Sequence, residues 1–442
     1  MNPWNPKKHL NFESLRYELS SLFRDLPDTR ELVKTGYHIH DAMMSAYACM
    51  FFQDPSLLQF QERLKEDENR SNLTTLFAIN DIPRETQLRD IVDDVKSELL
   101  SPIFKNFFSR LQRSKLLSQY QLFPNLYICS IDGTQYFNSN NIHCDNCLTT
   151  THNNGDVSYS HKVLQAAIMH PDVRQVIPLM PEEIRNTDGN IKQDCEINAA
   201  KRMIPKIKND HPRLGLIIVG DSLSSKQPFI LEVVAAGYHY IFTAKPDDHK
   251  YLMEWIDTVV MNELRITDEK GRILMYEWIN DVPLNGRSDT IKTNFFQYKI
   301  ITTDKNGIEK IDYKNSWITD LEISRENIVT LVRGGRCRWK IENECFNTLK
   351  NQGYHIEHNY GHGEKNLCFN FFILTLLAFF FHQIFELTDK LYQACRKKFG
   401  SKRNLWENLR VRIRIFVFNN WEHLLDFALT PRKYRTTIQP SL

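Results

Sequence analysis

The chain has almost no net charge: 56 lysines and arginines against 54 aspartates and glutamates leave +2. That balance excludes a global basic field of the kind that draws a whole protein onto nucleic acid or an anionic membrane, so any such attraction rests on local charge. A disulfide framework is lacking too. The nine cysteines are scattered, and Cys129, Cys337 and Cys368 fall in apolar stretches, which predicts a reducing, cytoplasmic setting. The opening "MNPWNPKKHLNFESL" has no apolar core of a signal peptide. Long apolar runs are also missing. The longest, "FFILTLLAFFF" at 371–381, gives about 16 Å of helix against a hydrocarbon core of about 30 Å, so a buried core helix and no membrane partner are expected. Internal repeats and low-complexity tracts are absent, which removes solenoids and fibres.

What is present is an ordinary globular composition, 42% hydrophobic and 25% charged over 442 residues, enough for two or three domains. The charge is unevenly spread. Between Arg396 and Arg435 eleven basic residues meet three acids, Glu407, Glu422 and Asp426. This helical tail, 386–442, suits a phosphate backbone, or equally forms a solvated helix face.

Periodicity divides the rest. In 1–120, apolar residues recur at three and four in "FESLRYELSSLFRDL", "DAMMSAYACMFF" and "ELLSPIFKNFFSRLQRSKLL", predicting a helical N-terminal domain. Inside it, two amphipathic segments of "LTTLFAINDIPRETQLRDIVDDV" flank a short turn, with Pro83 opening the second. This is a helix-turn-helix outline, shared by any helical hairpin, in which Arg84, Thr86, Gln87 and Arg89 would face a groove or phosphates. From 121 to 246 three strands are followed by helix, strand, helix and strand, the pattern of an α/β mixed sheet with helices on its faces. Residues 247–324 turn β-rich, with turns at "DEKG" and "DKNG", and read as an insertion. Helical patterning resumes over 325–385.

Two core strands carry an odd residue. "LYICSID" ends in Asp132 before a glycine, and "LGLIIVGD" ends in Asp221. An Asp-Gly turn is the plain explanation of the first, because an unpaired buried charge is costly. Together, however, they place carboxylates at the C-terminal ends of two central strands, where open α/β sheets bind ligands. A third acid, Glu342 in "GRCRWKIENECF", stands four residues after Arg338, on one helix face with Phe346, and Lys350 lies eight on. Its near neighbour Glu344 is about 200° away on a helix and follows Lys340 by four, the spacing of an exposed pair. Three carboxylates in one cleft repel unless cations sit among them. Mg²⁺ accepts a few carboxylates plus water and phosphate oxygens, and a metal pair about 4 Å apart suits phosphoryl transfer on nucleic acid. The plainer reading makes the aspartates turn caps and Glu342 a surface partner of Arg338.

"SIDGTQYF", "IIVGDSL" and "RWKIENECFNTLK", in this order and on these elements, resemble the DDE transposases of bacterial insertion sequences, which have an RNase H-like catalytic core. The similarity, over about 70–385, is to the group with a β-rich insertion before the catalytic glutamate and a Tyr-x2-Arg-x3-Glu-x6-Lys signature. It implies that Asp132, Asp221 and Glu342 are catalytic and hold two Mg²⁺ ions, for which Mn²⁺ substitutes. It further implies that Arg338 and Lys350 contact DNA, to which the helix-turn-helix outline adds Arg84 and Arg89. Double-stranded DNA, as element ends and target, is the implied partner, with a homodimer in the synaptic complex. Two positions depart from the signature: Gly335 stands where tyrosine is expected, and Leu349 takes the place of the lysine, putting Lys350 one residue late. The alternative is an inactive, DNA-binding relic of the same fold.

Two further motifs remain. "GDSL" at 220–223 spells a serine-esterase signature with Ser222 as nucleophile, but it lies mid-chain, and at the spacing where an aspartate should precede His423 stands Asn420. "HCDNC" places Cys144 and Cys147 at zinc-ligand spacing, with His143, His152, His161 and Cys195 as completing candidates and a metal-free loop as the alternative. His161 and Lys245, near strands of the sheet, are also candidates to approach DNA.

Overall fold

A computed structural model describes residues 6–28, 30, 36–186, 194–303, 308–358 and 360–434. Its strands are β1 (Gln121–Phe123), β2 (Leu126–Ser139), β3 (Leu148–Thr151), β4 (Val157–His170), β5 (Val173–Pro178) and β6 (Glu182–Ile184), then β7 (Gly215–Gly220), β8 (His239–Thr243), β9 (Asn262–Thr267), β10 (Ile273–Pro283), β11 (Lys292–Thr303) and β12 (Glu309–Thr319). They form one mixed sheet in the order β3-β4-β2-β7-β8-β12-β11-β10-β9, with β1 beside β2 and with β5 and β6 beside β4. The pairs β2–β7 and β7–β8 are parallel, as expected of strands joined by the helices Glu196–Asp210 and Gln227–Ala235. All other pairs are antiparallel.

One expectation changes here. Asp132 does not end its strand: β2 runs on seven residues to Ser139, and only its pairing with β7 stops, at Ser130↔Val219. Asp132 therefore lies just past the end of β7, where the parallel neighbour has turned away and left room for a cleft. Residues 247–324, read as a β-rich insertion, do carry four strands. β12 pairs with β8 through Trp317↔Thr243, so β9–β12 extend the same sheet. The "DEKG" turn is found, Gly271 taking the left-handed conformation at φ 74°; "DKNG" at 304–307 lies outside the described residues.

The long apolar helix, Leu367–Thr388, is 22 residues, about 33 Å, long enough to span a bilayer by length. The argument from run length therefore fails, and packing replaces it: 94% of its most apolar window is buried inside the protein. It is hydrophobic on all sides because it is covered on all sides. Phe381, His382 and Phe385 meet Tyr47 and Phe51 of the N-terminal helix Ile39–Phe51 together with Trp406 and Trp421 of the C-terminal helices. Both helical ends of the chain thus share one aromatic core around this helix. The basic tail is largely used inside that body. Arg410 donates to the Phe52 and Gln53 carbonyls, Lys398 to those of Ala428 and Leu429, Arg414 pairs with Glu66, and Lys402 with Glu386. Arg435 lies outside the described residues.

The helix Ile328–Arg336 delivers the Glu342 segment to the sheet. It can approach closely because Gly334 and Gly335 have no side chains. A Cβ on Gly334 would press on Leu122 and Ile241, and one on Gly335 would sit 2.7 Å from Trp317 Nε1. The indole of Trp317 fills the space a side chain at 335 would need.

Candidate functional site

Asp132, Asp221 and Glu342 line one cleft of about 450 Å³, together with Thr243, Lys245, Tyr313, Lys314, Asn315, Gly335, Arg336, Arg338 and Trp339. Each arrives by a different route. Asp132 comes from the centre of β2, and Asp221 from the first residue after β7; continuing the register from Ser130↔Val219 by two places sets the two opposite each other. Asp221 also caps its turn, its Oδ1 accepting from Leu223 N–H at 3.0 Å, so the turn-cap reading is correct as far as it goes. Glu342 comes from a π-helical segment, Ile341–Phe346, whose wider turn leaves residues two apart roughly 160° from each other. Glu342 faces the cleft, whereas Glu344 faces away and meets Arg174 at 3.4 Å. The expected Lys340–Glu344 pair is not formed, because Lys340 Nζ instead donates to the carbonyls of His170 and Val173.

Arg338 stands between two of the acids, 2.7 Å from Glu342 Oε1 and 3.4 Å from Asp132 Oδ2. Even so, burial pushes the Asp132 carboxyl up to about 6; Arg338 opposes the shift, while Glu342 and Glu196 add to it. Glu196, an acid that the sequence reading missed, lies close enough to Asp132 and Asp221 to act on both, without lining the cleft. It opens the helix Glu196–Asp210 beside the two strands, and its own carboxyl is raised by burial and by Asp221, with Lys162 opposing. Gly133 is no turn residue but lies within β2, and a Cβ there would make the Glu196 carboxylate move aside. In the sequence, an acid in a helix's first turn looks like an ordinary dipole-favoured cap, so nothing flagged it.

The cleft is also lined by four cations, Lys245, Lys314, Arg336 and Arg338. Arg336 is held over the rings of Tyr298 and Tyr313, at 5.4 and 5.2 Å, and Trp339 is 65% exposed at the rim. Other candidates lie elsewhere. Lys350 pairs with Glu357 at 2.7 Å and does not line the cleft. Arg84 is exposed at the start of the helix Glu85–Asp94, after the helix Asp67–Phe77, so the helix pair of the outline is present. Arg89 is committed within the fold, pairing with Glu85 and donating from Nε to the Tyr360 carbonyl at 3.0 Å. Ser222 of the esterase motif is buried and bonded to Asp248, while His423 belongs to the helix Trp421–Leu429.

Cys144 and Cys147 gather His161 of β4 and His362. His161 is thereby drawn away from the DNA role. Of the other ligand candidates, His143 stacks on Tyr159, His152 bonds Ser158, and Cys195 is exposed at the start of the helix Glu196–Asp210, away from the cluster.

The fold and site together define a class: an α/β protein with a mixed sheet, helices on it, and a cleft of clustered carboxylates lined also by basic and aromatic side chains. No protein-family model and no curated protein matches the chain.

Proposed function

We propose that the protein is a DDE transposase with an RNase H-like core, cleaving and joining DNA at the ends of an insertion sequence in the cytoplasm, as a homodimer when two ends are paired. The observation that carries this reading is the meeting of Asp132, Asp221 and Glu342, from distant parts of the chain, in one cleft lined also by four cations. The element order supports the core: antiparallel β2, β4 and β5, then a helix, β7, a helix and β8 in parallel. The donor set is all oxygen, three carboxylates with Arg338 paired to two of them, which suits Mg²⁺ or Mn²⁺ held by Asp132, Asp221 and Glu342. Two such ions supply activation of the attacking oxygen and neutralisation of the leaving one.

The chain's own groups do the rest. Arg338 steadies Glu342 and is within reach of a phosphate entering beside it. Lys245, Lys314 and Arg336 bind backbone phosphates of the strand, Arg336 being pre-oriented by its two tyrosines. Trp339 offers an exposed face on which an unpaired base stacks. The helices around Arg84 contribute recognition of the element ends. The test is incubation with Mg²⁺ and a plasmid carrying the coding segment in its own flanking DNA. The wild type nicks at the element ends, Glu342→Gln binds those ends without nicking, and Glu344→Gln retains most activity. Nicking that survives Glu342→Gln refutes the assignment, and binding without nicking by the wild type identifies an inactive relic.

A further inference from the structure

We infer that Cys144, Cys147, His161 and His362 form a closed structural zinc site, one that stands whether or not the transposase reading does. The four ligand atoms lie within 4.8 Å of one another, and their spacing is that of a tetrahedron's corners. Zn–S bonds of about 2.3 Å and Zn–N bonds of about 2.05 Å give tetrahedral edges of about 3.8 Å for S···S, about 3.6 Å for S···N and about 3.3 Å for N···N. Five of the six edges are 4.0 Å between the sulfurs, 3.6 Å from Cys144 Sγ and 3.3 Å from Cys147 Sγ to His161 Nε2, 3.4 Å from Cys147 Sγ to His362 Nε2, and 3.1 Å between the two Nε2 atoms, and the sixth, from Cys144 to His362, is within 4.8 Å.

The surroundings point the same way. His362 Nδ1 donates to the Gly363 carbonyl at 2.8 Å, so its Nε2 carries a lone pair in the neutral ring. His161 Nδ1 is buried without a hydrogen-bond partner, Glu183 lying 3.6 Å away, while its Nε2 lies 3.3 Å from Cys147 Sγ and 3.1 Å from His362 Nε2. Two ring nitrogens and two sulfurs converge on one point, an arrangement that a cation reconciles. Two thiolates and two imidazoles select zinc over hard cations, and four protein ligands leave no open position, so the ion is structural.

The sequence positions say what it holds. Cys144 and Cys147 precede β3, His161 lies on β4 opposite Phe137 of β2, and His362 comes 201 residues later, just before the helix Leu367–Thr388. The ion staples the edge of the sheet that carries Asp132 to the segment entering the central apolar helix. It also fixes the His362 ring against Phe137, at 4.6 Å.

The experiment uses the full chain, purified under reducing conditions, stripped of metal and titrated with Co²⁺ and then Zn²⁺. Expected are one metal per chain by mass spectrometry, a Co²⁺ spectrum with intense tetrahedral bands and thiolate charge transfer, and displacement by Zn²⁺. At a thousandfold excess over its Kd, zinc raises the melting midpoint by about 4 °C. His362→Ala weakens zinc by more than about 100-fold, while His143→Ala and Cys195→Ser leave it unchanged. An octahedral cobalt spectrum, less than stoichiometric uptake by the reduced wild type, or full affinity in His362→Ala overturns the site. If His362→Ala does not fold, the wild-type spectrum and stoichiometry decide.

Discussion

Replacing Asp132 with asparagine isolates the cost of holding a charge in the cleft. The carboxyl is raised from 3.8 to about 6, first by burial and then by Glu342 and Glu196, against the pull of Arg338. This is the reverse of the usual carboxylate case. The folded state binds the proton more tightly, so the stabilisation is present at low pH and is lost as pH rises from 3.8 through about 6. Above that range the ionised side chain costs about 3 kcal/mol, at about 1.36 kcal/mol per pH unit. With an unfolding entropy of about 2.1 cal/mol/K per residue over 442 residues, this corresponds to about 3 °C. Without divalent cations, Asp132→Asn should melt about 3 °C above the wild type near pH 7.5, and by less than about 1 °C near pH 4. Millimolar Mg²⁺ should raise the wild-type midpoint and leave the variant's nearly unmoved, since the carboxylate that gains from the ion is gone. Scanning calorimetry at several pH values, with and without Mg²⁺, reads both effects. A variant no more stable than the wild type at neutral pH, or Mg²⁺ stabilisation equal in both, would refute the argument that the Asp132 charge is held in the cleft at a cost.

Gly335→Tyr, which restores the expected signature residue, should destabilise the protein by about 1–3 kcal/mol in urea denaturation, because the new side chain meets Trp317. Adding Trp317→Ala should recover part of that loss, and strict additivity of the two changes would show that they do not compete for space. The two N-terminal arginines should separate by assay. Arg84→Ala should lower the slope of log DNA affinity against log salt by about 0.9 if it touches a phosphate, whereas Arg89→Ala should chiefly lower the melting midpoint, having lost its bond to the Tyr360 carbonyl.

Patterns that repeat over a few residues were legible before any coordinates. The three- and four-residue spacing foretold the N-terminal helices, and the alternating run at 126–131 and the solid apolar run at 216–219 foretold β2 and β7. The acids on those strands and the four-residue step from Arg338 to Glu342 nominated the cleft. The Cys144–Cys147 spacing nominated half of a metal site. Each is a local relation, set by the 3.6-residue turn of a helix or the two-residue period of a strand, and so it is written along the chain.

The tertiary structure alone decided what depends on distant segments meeting. Nothing near Glu196 separates it from an ordinary helix cap; only the packing of its helix against β2 brings its charge beside Asp132 and Asp221. His362 joins His161 across 201 residues, and Trp317 of β12 fills the space beside Gly335. The tail's basic residues read as a binding surface until the fold spends many of them on its own carbonyls and carboxylates. The reason is common to all four. A side chain's type states what it can bond to, but which partner comes within about 3 Å is settled by strand register and helix packing between segments hundreds of residues apart, which no local period encodes.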